Sequence, residues 1–240
     1  MDPATGNVYA SSNQTGTVMV LRDPDKDGVA DTAQVVFRRQ NAHGLAIRDR
    51  ELWVVTVREV YKNAILPDGT LGPAQLIVND LPDAGQHNNR SAKFGPDGML
   101  YISVGSTCNE CREGNEENAT MLRMDPAMGK RTIFASGLRN TIGFDWHPVS
   151  KKLYGLDNGT DWLGDDEQPE ELNEIDQGSR YGWPYVFGFG KLNDHFPPPA
   201  GFTSEGWRAT SKEPVLVYVA HSAPAIGVLN RFDVPGGVSQ

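Results

Sequence analysis

The stretch from Gly137 to Gly188 concentrates side chains able to do chemistry. It holds Gly137-Leu138-Arg139-Asn140, Trp146-His147-Pro148, Asp157-Asn158-Gly159, Asp161-Trp162-Leu163-Gly164-Asp165-Asp166 and Gly182-Trp183-Pro184. Polar groups, glycines and aromatics fall at the ends of short apolar runs, where a sheet scaffold carries a site on its loops. Upstream lies His87, in the polar run His87-Asn88-Asn89-Arg90-Ser91. Imidazole titrates close enough to neutral pH to serve as a general base. The bland reading of a lone loop histidine is a solvated or structurally bonded residue. A guanidinium beside an amide, as in Arg139-Asn140, can stabilise negative charge building on an oxygen. It can equally be a turn that closes a salt link.

The elements that must position these groups are short strands. Four segments share one form, a polar or Gly/Pro-bearing turn followed by an alternating strand with an aromatic inside it, and their aromatics are Tyr9, Trp53, Tyr101 and Tyr154. Spacings of 44, 48 and 53 residues between them match a four-stranded propeller blade with insertions. Further strands are expected at Val18 to Leu21, Gln34 to Phe37, Gln75 to Val78, Met121 to Met124 and Thr132 to Ala135. Glu167 to Ile175 is the one segment that reads as a helix, kept short by Pro169. The expectation is therefore a single all-β propeller domain over residues 1–240. At about 48 residues per repeat it holds about five blades, the first lacking its inner strand. The start inside a repeat and the turn-like Pro235-Gly236-Gly237-Val238-Ser239-Gln240 read as a fragment, incomplete at both ends.

Composition narrows the partner. The chain of 240 residues has a net charge of -9, 38% hydrophobic and 22% charged residues. It has no Lys/Arg stripe for neutralising phosphates, which argues against a nucleic-acid partner. The longest clean apolar run, Val215 to Ala220, is far short of the roughly 18 to 20 residues of a membrane span. A small-molecule ligand fits better. The N-terminus shows no basic region followed by an apolar one, so no secretory signal is read in it.

Six motifs in order resemble the soluble quinoprotein glucose/sorbosone dehydrogenase family, nearest its L-sorbosone or pyranose dehydrogenase branch. They are His87 to Ser91, Gly105-Ser106-Thr107-Cys108-Asn109-Glu110-Cys111, Gly137 to Asn140, Asp157 to Gly159, Gly182 to Pro184 and Ala220-His221-Ser222-Ala223-Pro224. The resemblance implies a six-bladed propeller that binds pyrroloquinoline quinone and calcium at the top of its central channel. It also implies oxidation of a sugar or sugar aldehyde with an external electron acceptor, outside the cytoplasm, in the periplasm or extracellular space. Carried onto this sequence, His87 is the base and Arg139 and Asn140 lie beside the quinone. Gly159 and Thr160 offer the backbone carbonyls that hold calcium, an ion satisfied by oxygen. The glucose dehydrogenase branch has proline where this chain has Thr160. Asp165 and Asp166 face the sugar hydroxyls, or else are solvated acids. Because the resembling family is exported, Cys108 and Cys111 are expected to form a local disulfide, with a reduced pair as the alternative. The family's remaining basic cofactor contacts lie in blades beyond Gln240, so this chain by itself is expected to bind the quinone weakly.

Other chemistries find little support. Asp23 to Asp31 imitates half of an EF-hand loop, but Gln34 replaces the closing glutamate, so a polar blade turn is the better reading. There is no Gly-x-Ser-x-Gly elbow and no His-Glu-x-x-His. His221-Ser222 on an extended strand would point to opposite faces, which suits no hydrolase pair. His43, His147 and His195 read as structural or surface residues. Two other readings of the chain stay open: a calcium-dependent lactonase of the gluconolactonase type, and a non-catalytic propeller that binds sugars or partners.

Overall fold

Alternating segments interrupted by Gly, Asp and Asn turns favour chain-consecutive strand pairing over helices. The computed structural model describes residues 1–83 and 85–225 and is accordingly almost all β. One sheet has three strands, β1 (Val8–Ser12), β2 (Thr17–Arg22) and β3 (Thr32–Arg38). A second is β4 (Gly44–Arg48), β5 (Glu51–Val55), β6 (Val60–Ala64) and β7 (Gln75–Val78). A third is β8 (Ala92–Phe94), β9 (Leu100–Val104), β10 (Thr120–Met124) and β11 (Arg131–Ser136). The fourth joins β12 (Thr141–Trp146), β13 (Leu153–Asp157) and β14 (Glu170–Ile175) to the later strand β17 (Leu216–Tyr218). Each is a meander of neighbouring strands, the blade motif of a β-propeller.

Four blade sheets, against an expectation of about five, are present among the described residues. The repeat arithmetic overcounts because a long insertion separates β14 from β17. It carries the ribbon β15 (Val186–Phe187) and β16 (Lys191–Leu192) and the helix α1 (Ser204–Thr210), capped by Thr203. All five expected strands lie within β2, β3, β7, β10 and β11. The expected helix at Glu167 to Ile175 is wrong. Residues Glu170–Ile175 are β14, paired antiparallel with β13 in the register Asp157↔Glu171, Gly155↔Asn173 and Leu153↔Ile175. Helix-forming glutamates are overridden there by cross-strand pairing and burial on both faces. The terminal stretch Pro235 to Gln240 lies outside the described residues.

By density of contacts the chain divides into two compact units. One comprises Met1–Asp83, Asn88–Ile102 and Met124–Lys130, and the other Ala84–His87, Ser103–Arg123 and Arg131–Gln240. In the first, Tyr9, Val18, Val20, Ala42, Leu52, Val54 and Ile65 form a buried apolar cluster. There Trp53 is fully enclosed and packs edge-on against Phe94 at 5.6 Å between ring centroids. In the second, Leu153, Leu156 and Ile175 are buried along β13 and β14. The same strands carry the buried polar residues Asp157, Glu170, Glu171 and Asn173 to one strand end.

Candidate functional site

The site lies within the second unit. Strand β13 is buried along its whole length and ends in a carboxylate. Asp157 Oδ2 accepts the backbone N–H of Arg139 at 2.8 Å, and its Oδ1 accepts the backbone N–H of Asn140 and the hydroxyl of Thr141, each at 2.8 Å. The loop Gly137 to Asn140 is thereby fixed by an acceptor from the neighbouring strand. Across the ladder, Glu171 accepts the N–H of Gly188 at 2.6 Å and the amide of Asn173 at 3.0 Å. Burial pushes Asp157 up to about 6, against the pull of its hydrogen bonds and of Arg139. Burial, with Asp157 opposite, pushes Glu171 up to about 8.

Arg139 points into protein. Its side chain is 3% exposed. Nε donates to Asn109 O at 2.8 Å, Nη2 to Asn109 Oδ1 at 2.7 Å and Nη1 to Asn158 O at 3.0 Å. Asp161 Oδ2 stands 3.5 Å from Nη2. A guanidinium has five N–H groups; the hydrogen bonds take three and Asp161 stands beside Nη2, which leaves one on Nη1. Burial lowers the Arg139 pKa while Asp157 and Asp161 offset it.

His87 is half-buried, and its Nδ1 lies 2.9 Å from Ser106 O and 2.8 Å from Ser106 Oγ. The serine hydroxyl donates its own proton to Cys108 O at 2.7 Å. Both serine oxygens therefore present lone pairs to Nδ1, which must carry the imidazole proton. Nε2 is left with its lone pair, as a base requires. Burial first, and then the Arg139 charge, hold the His87 pKa below its usual value, whereas the Ser106 hydrogen bond and Asp161 act in the opposite direction. The net shift favours the neutral imidazole. Gly105 brings His87 and Asn140 together, because a Cβ there would stand 2.5 Å from His87 Cβ and 3.1 Å from Asn140 Oδ1. His87, Arg139 and Asn140, remote along the chain, thus meet in one place.

The loop after Asp157 is shaped by close approach. A Cβ on Gly159 would stand 2.7 Å from Gln168 O and 3.0 Å from Pro169 O, so only glycine fits. Its N–H donates to Glu170 Oε2 at 2.7 Å. Among the described residues no hydrogen bond ends on the carbonyl of Gly159 or of Thr160. Thr160 is buried, and its hydroxyl and Asn158 Oδ1 have no hydrogen-bond partner. Free carbonyls beside orphaned oxygens match the donor preference of calcium. Asp165 and Asp166 are exposed on the turn beyond this loop, as solvated acids would be.

Cys108 and Cys111 are joined in a disulfide with Cα atoms 6.1 Å apart. His221 and Ser222 make no pair: His221 Nε2 meets Gly164 O at 2.8 Å, and Ser222 donates to Val219 O. Ser106, Asn109, Glu170 and Glu171 escaped the sequence reading. The first two lie within a quoted motif without a spacing that assigns them work, and the last two were masked by the helical reading.

Comparison with known proteins agrees with this architecture. The family described as glucose/sorbosone dehydrogenase matches residues 10–228. An uncharacterised protein of Borreliella burgdorferi is 29% identical over 233 residues, covering 91% of this chain and 58% of that protein. One of Synechocystis is 25% identical, covering 62% of this chain and 40% of its own. The chain thus spans 58% of the length of the first of these relatives and 40% of the second. Among solved structures, the calcium structure of a Trichoderma reesei carbohydrate-active enzyme has a TM-score of 0.76 at 20% identity, covering 92% of this chain and 70% of that one. The holo form of the pyranose dehydrogenase PQQ domain from Coprinopsis cinerea has a TM-score of 0.72 at 16% identity, covering 92% and 66%. The PQQ-bound aldose sugar dehydrogenase of Streptomyces coelicolor has a TM-score of 0.65 at 19% identity, covering 90% and 66%.

Proposed function

Because the chain belongs to the glucose/sorbosone dehydrogenase family, we propose that it is the site-bearing part of a quinone-dependent sugar dehydrogenase, acting on an aldose or sugar aldehyde. The whole protein would be a six-bladed propeller working in the periplasm or outside the cell with an external electron acceptor. The observation that carries the reading is the meeting of a neutral, Nδ1-protonated His87 with Arg139 and Asn140.

In this reading His87 Nε2 accepts the hydroxyl proton at the carbon that loses hydride. Bound pyrroloquinoline quinone supplies the two-electron acceptor, and calcium the positive charge that favours its reduction. The free N–H of Arg139 and the amide of Asn140 stabilise negative charge on the acceptor oxygen. The carbonyls of Gly159 and Thr160 hold the calcium, and Asp165 and Asp166 meet sugar hydroxyls arriving from solvent. A low His87 pKa keeps the base free at neutral pH.

A lactonase reading asks for acidic side chains converging on a cation near the base. Among the described residues the compact candidate groups are Cys108, Cys111 and Glu113, with both sulfurs in the disulfide, and Asp23, Asp25 and Asp27, which are exposed or half-buried in a loop of the first unit. Asp157, Glu170 and Glu171 instead turn their oxygens to backbone N–H groups. To test the dehydrogenase reading, the protein is given calcium and pyrroloquinoline quinone, and quinone uptake and dye reduction are followed with several aldoses. Lactone hydrolysis without quinone uptake, in this chain and in its full-length form, would overturn it.

A further inference from the structure

We propose that the disulfide-closed turn from Ser106 to Cys111 is the positioning element of the site, setting His87 through Ser106 and Arg139 through Asn109. The inference rests on the proposed function for what the two side chains do, but not for how they are held. Two consecutive residues of the turn divide the task. Cys108 O takes the Ser106 hydroxyl proton at 2.7 Å, which leaves the serine oxygen as an acceptor for His87 Nδ1 at 2.8 Å. Asn109 takes Arg139 Nε on its carbonyl at 2.8 Å and Nη2 on Oδ1 at 2.7 Å. The same amide is locked in orientation, since Oδ1 also accepts Asp161 N at 3.0 Å and Nδ2 donates to Asp161 O at 2.9 Å.

Nothing in the ladder holds this turn. Residues 108–111 belong to no strand or helix, and among the described residues no backbone-to-backbone hydrogen bond involves them. Apart from the bonds to Arg139, only side chains reach outward from the turn, Glu110 to Asn193 and His195, and Asn109 to Asp161. To either side, Ser106 N donates to Arg139 O at 2.8 Å, and Glu113 accepts both the N–H and the hydroxyl of Thr107 at 2.8 Å. Between them the Cys108–Cys111 bond is the one covalent closure that fixes where the carbonyls of residues 108 and 109 point. Two catalytic residues thus depend on one three-residue link, which acts by restricting the conformations open to the chain.

The test compares wild type with Ser106→Ala, Asn109→Ala, Asn109→Asp and the double variant Cys108→Ala/Cys111→Ala. Nitrogen-15 NMR reads the His87 tautomer and pKa, exchange of the Arg139 Nε–H and Nη2–H protons reads its hold by the Asn109 carbonyl and side chain respectively, and quinone titration reads affinity. Ser106→Ala leaves the backbone carbonyl of residue 106 as the remaining acceptor at Nδ1, so it is expected to shift the His87 tautomer ratio part of the way toward Nε2–H while leaving Arg139 exchange unchanged. Asn109→Ala keeps the carbonyl that holds Nε but removes the Nη2 acceptor and the lock on Asp161. It should do the reverse, speeding Nη2–H exchange and weakening quinone affinity by about tenfold or more, as loss of a charge-assisted hydrogen bond implies. Asn109→Asp, which keeps an acceptor for Nη2, should restore most of the loss. The double cysteine variant should show both defects.

If that variant stays folded with a pure Nδ1–H tautomer and unchanged Arg139 exchange, the proposal is wrong. Should it fail to fold, the single variants decide: unchanged tautomer in Ser106→Ala together with unchanged Nη2–H exchange in Asn109→Ala would overturn it. Failure of both this chain and its full-length form to take up quinone would sink the dehydrogenase reading, while tautomer and exchange would still judge the turn.

Discussion

Asp157 Oδ2 accepts the backbone N–H of Arg139 at 2.8 Å, so the end of β13 dictates where the guanidinium begins. The carboxylate has no spare oxygen, since Oδ1 holds Asn140 and Thr141. Asp157→Asn would place an amide N–H against one of two backbone donors in a buried site. An unsatisfied buried donor costs about 1–3 kcal/mol. Thermal unfolding at pH 7 should therefore fall by several degrees, and an unchanged midpoint would show that the carboxylate is not the anchor.

Glu171 predicts an unusual pH dependence of stability. Its folded pKa is raised from 4.5 to about 8, so the folded state holds a proton that the unfolded chain releases. Stability from this group is complete below about 4.5 and is lost as pH rises through about 8. Glu171→Gln keeps a neutral side chain throughout. In calcium-free protein the variant should overtake wild type between pH 6 and 8, by an amount on the order of a few kcal/mol at the top of that window. Parallel unfolding curves for the two proteins across that range would contradict it.

Much of the scaffold was legible because blade strands announce themselves. Trp53, Tyr101 and Tyr154 each fall in the second strand of a sheet, and Tyr9 in the first strand of the three-stranded one. Loops after such strands had to carry the polar motifs, and His87, Arg139 and Asn140 do converge. What stayed hidden depends on register. Glu171 becomes a buried partner of Asp157 only because β14 pairs with β13, and a glutamate-rich segment carries no local mark of that. Asn109 looks like filler between two cysteines until Arg139, thirty residues away, is folded onto its carbonyl. Nor does any local pattern show that the Arg139 guanidinium is enclosed by the carbonyls of Asn109 and Asn158.

The His87 pKa is held down by burial and then by the Arg139 charge. A base is active when deprotonated, so kcat/KM should rise with pH through a value below 6.5 and then level off. Arg139→Gln removes a positive neighbour and should move the imidazole pKa upward. NMR titration of the apo protein reads this without cofactor. A pKa that stays put or drops in the variant would mean that the two side chains do not sense each other.

Thr160 separates a carbonyl ligand from a hydroxyl one. Its hydroxyl is buried without a partner, so Thr160→Val removes an unsatisfied group at nearly constant volume. Stability should hold or improve by up to about 1 kcal/mol. Calcium affinity should change less than about twofold if the backbone carbonyl binds the ion, because the main chain is untouched. A loss of about tenfold in a calcium titration would transfer the role to the hydroxyl.

Gly105 is where the base and the amide come nearest. A methyl there would stand 2.5 Å from His87 Cβ and 3.1 Å from Asn140 Oδ1, and 3.1 Å from His87 O, so backbone as well as side chains must yield. Overpacking of this kind costs about 1–3 kcal/mol. Because the displaced atoms belong to the site, Gly105→Ala should lower kcat by more than its loss of stability accounts for, with KM for the sugar little changed. In the proposed mechanism the chemical step depends on His87 geometry, whereas sugar binding draws on other surfaces. A variant with full kcat at a temperature where it is folded would show that the His87 to Asn140 contact has slack, and that their convergence is a matter of packing alone.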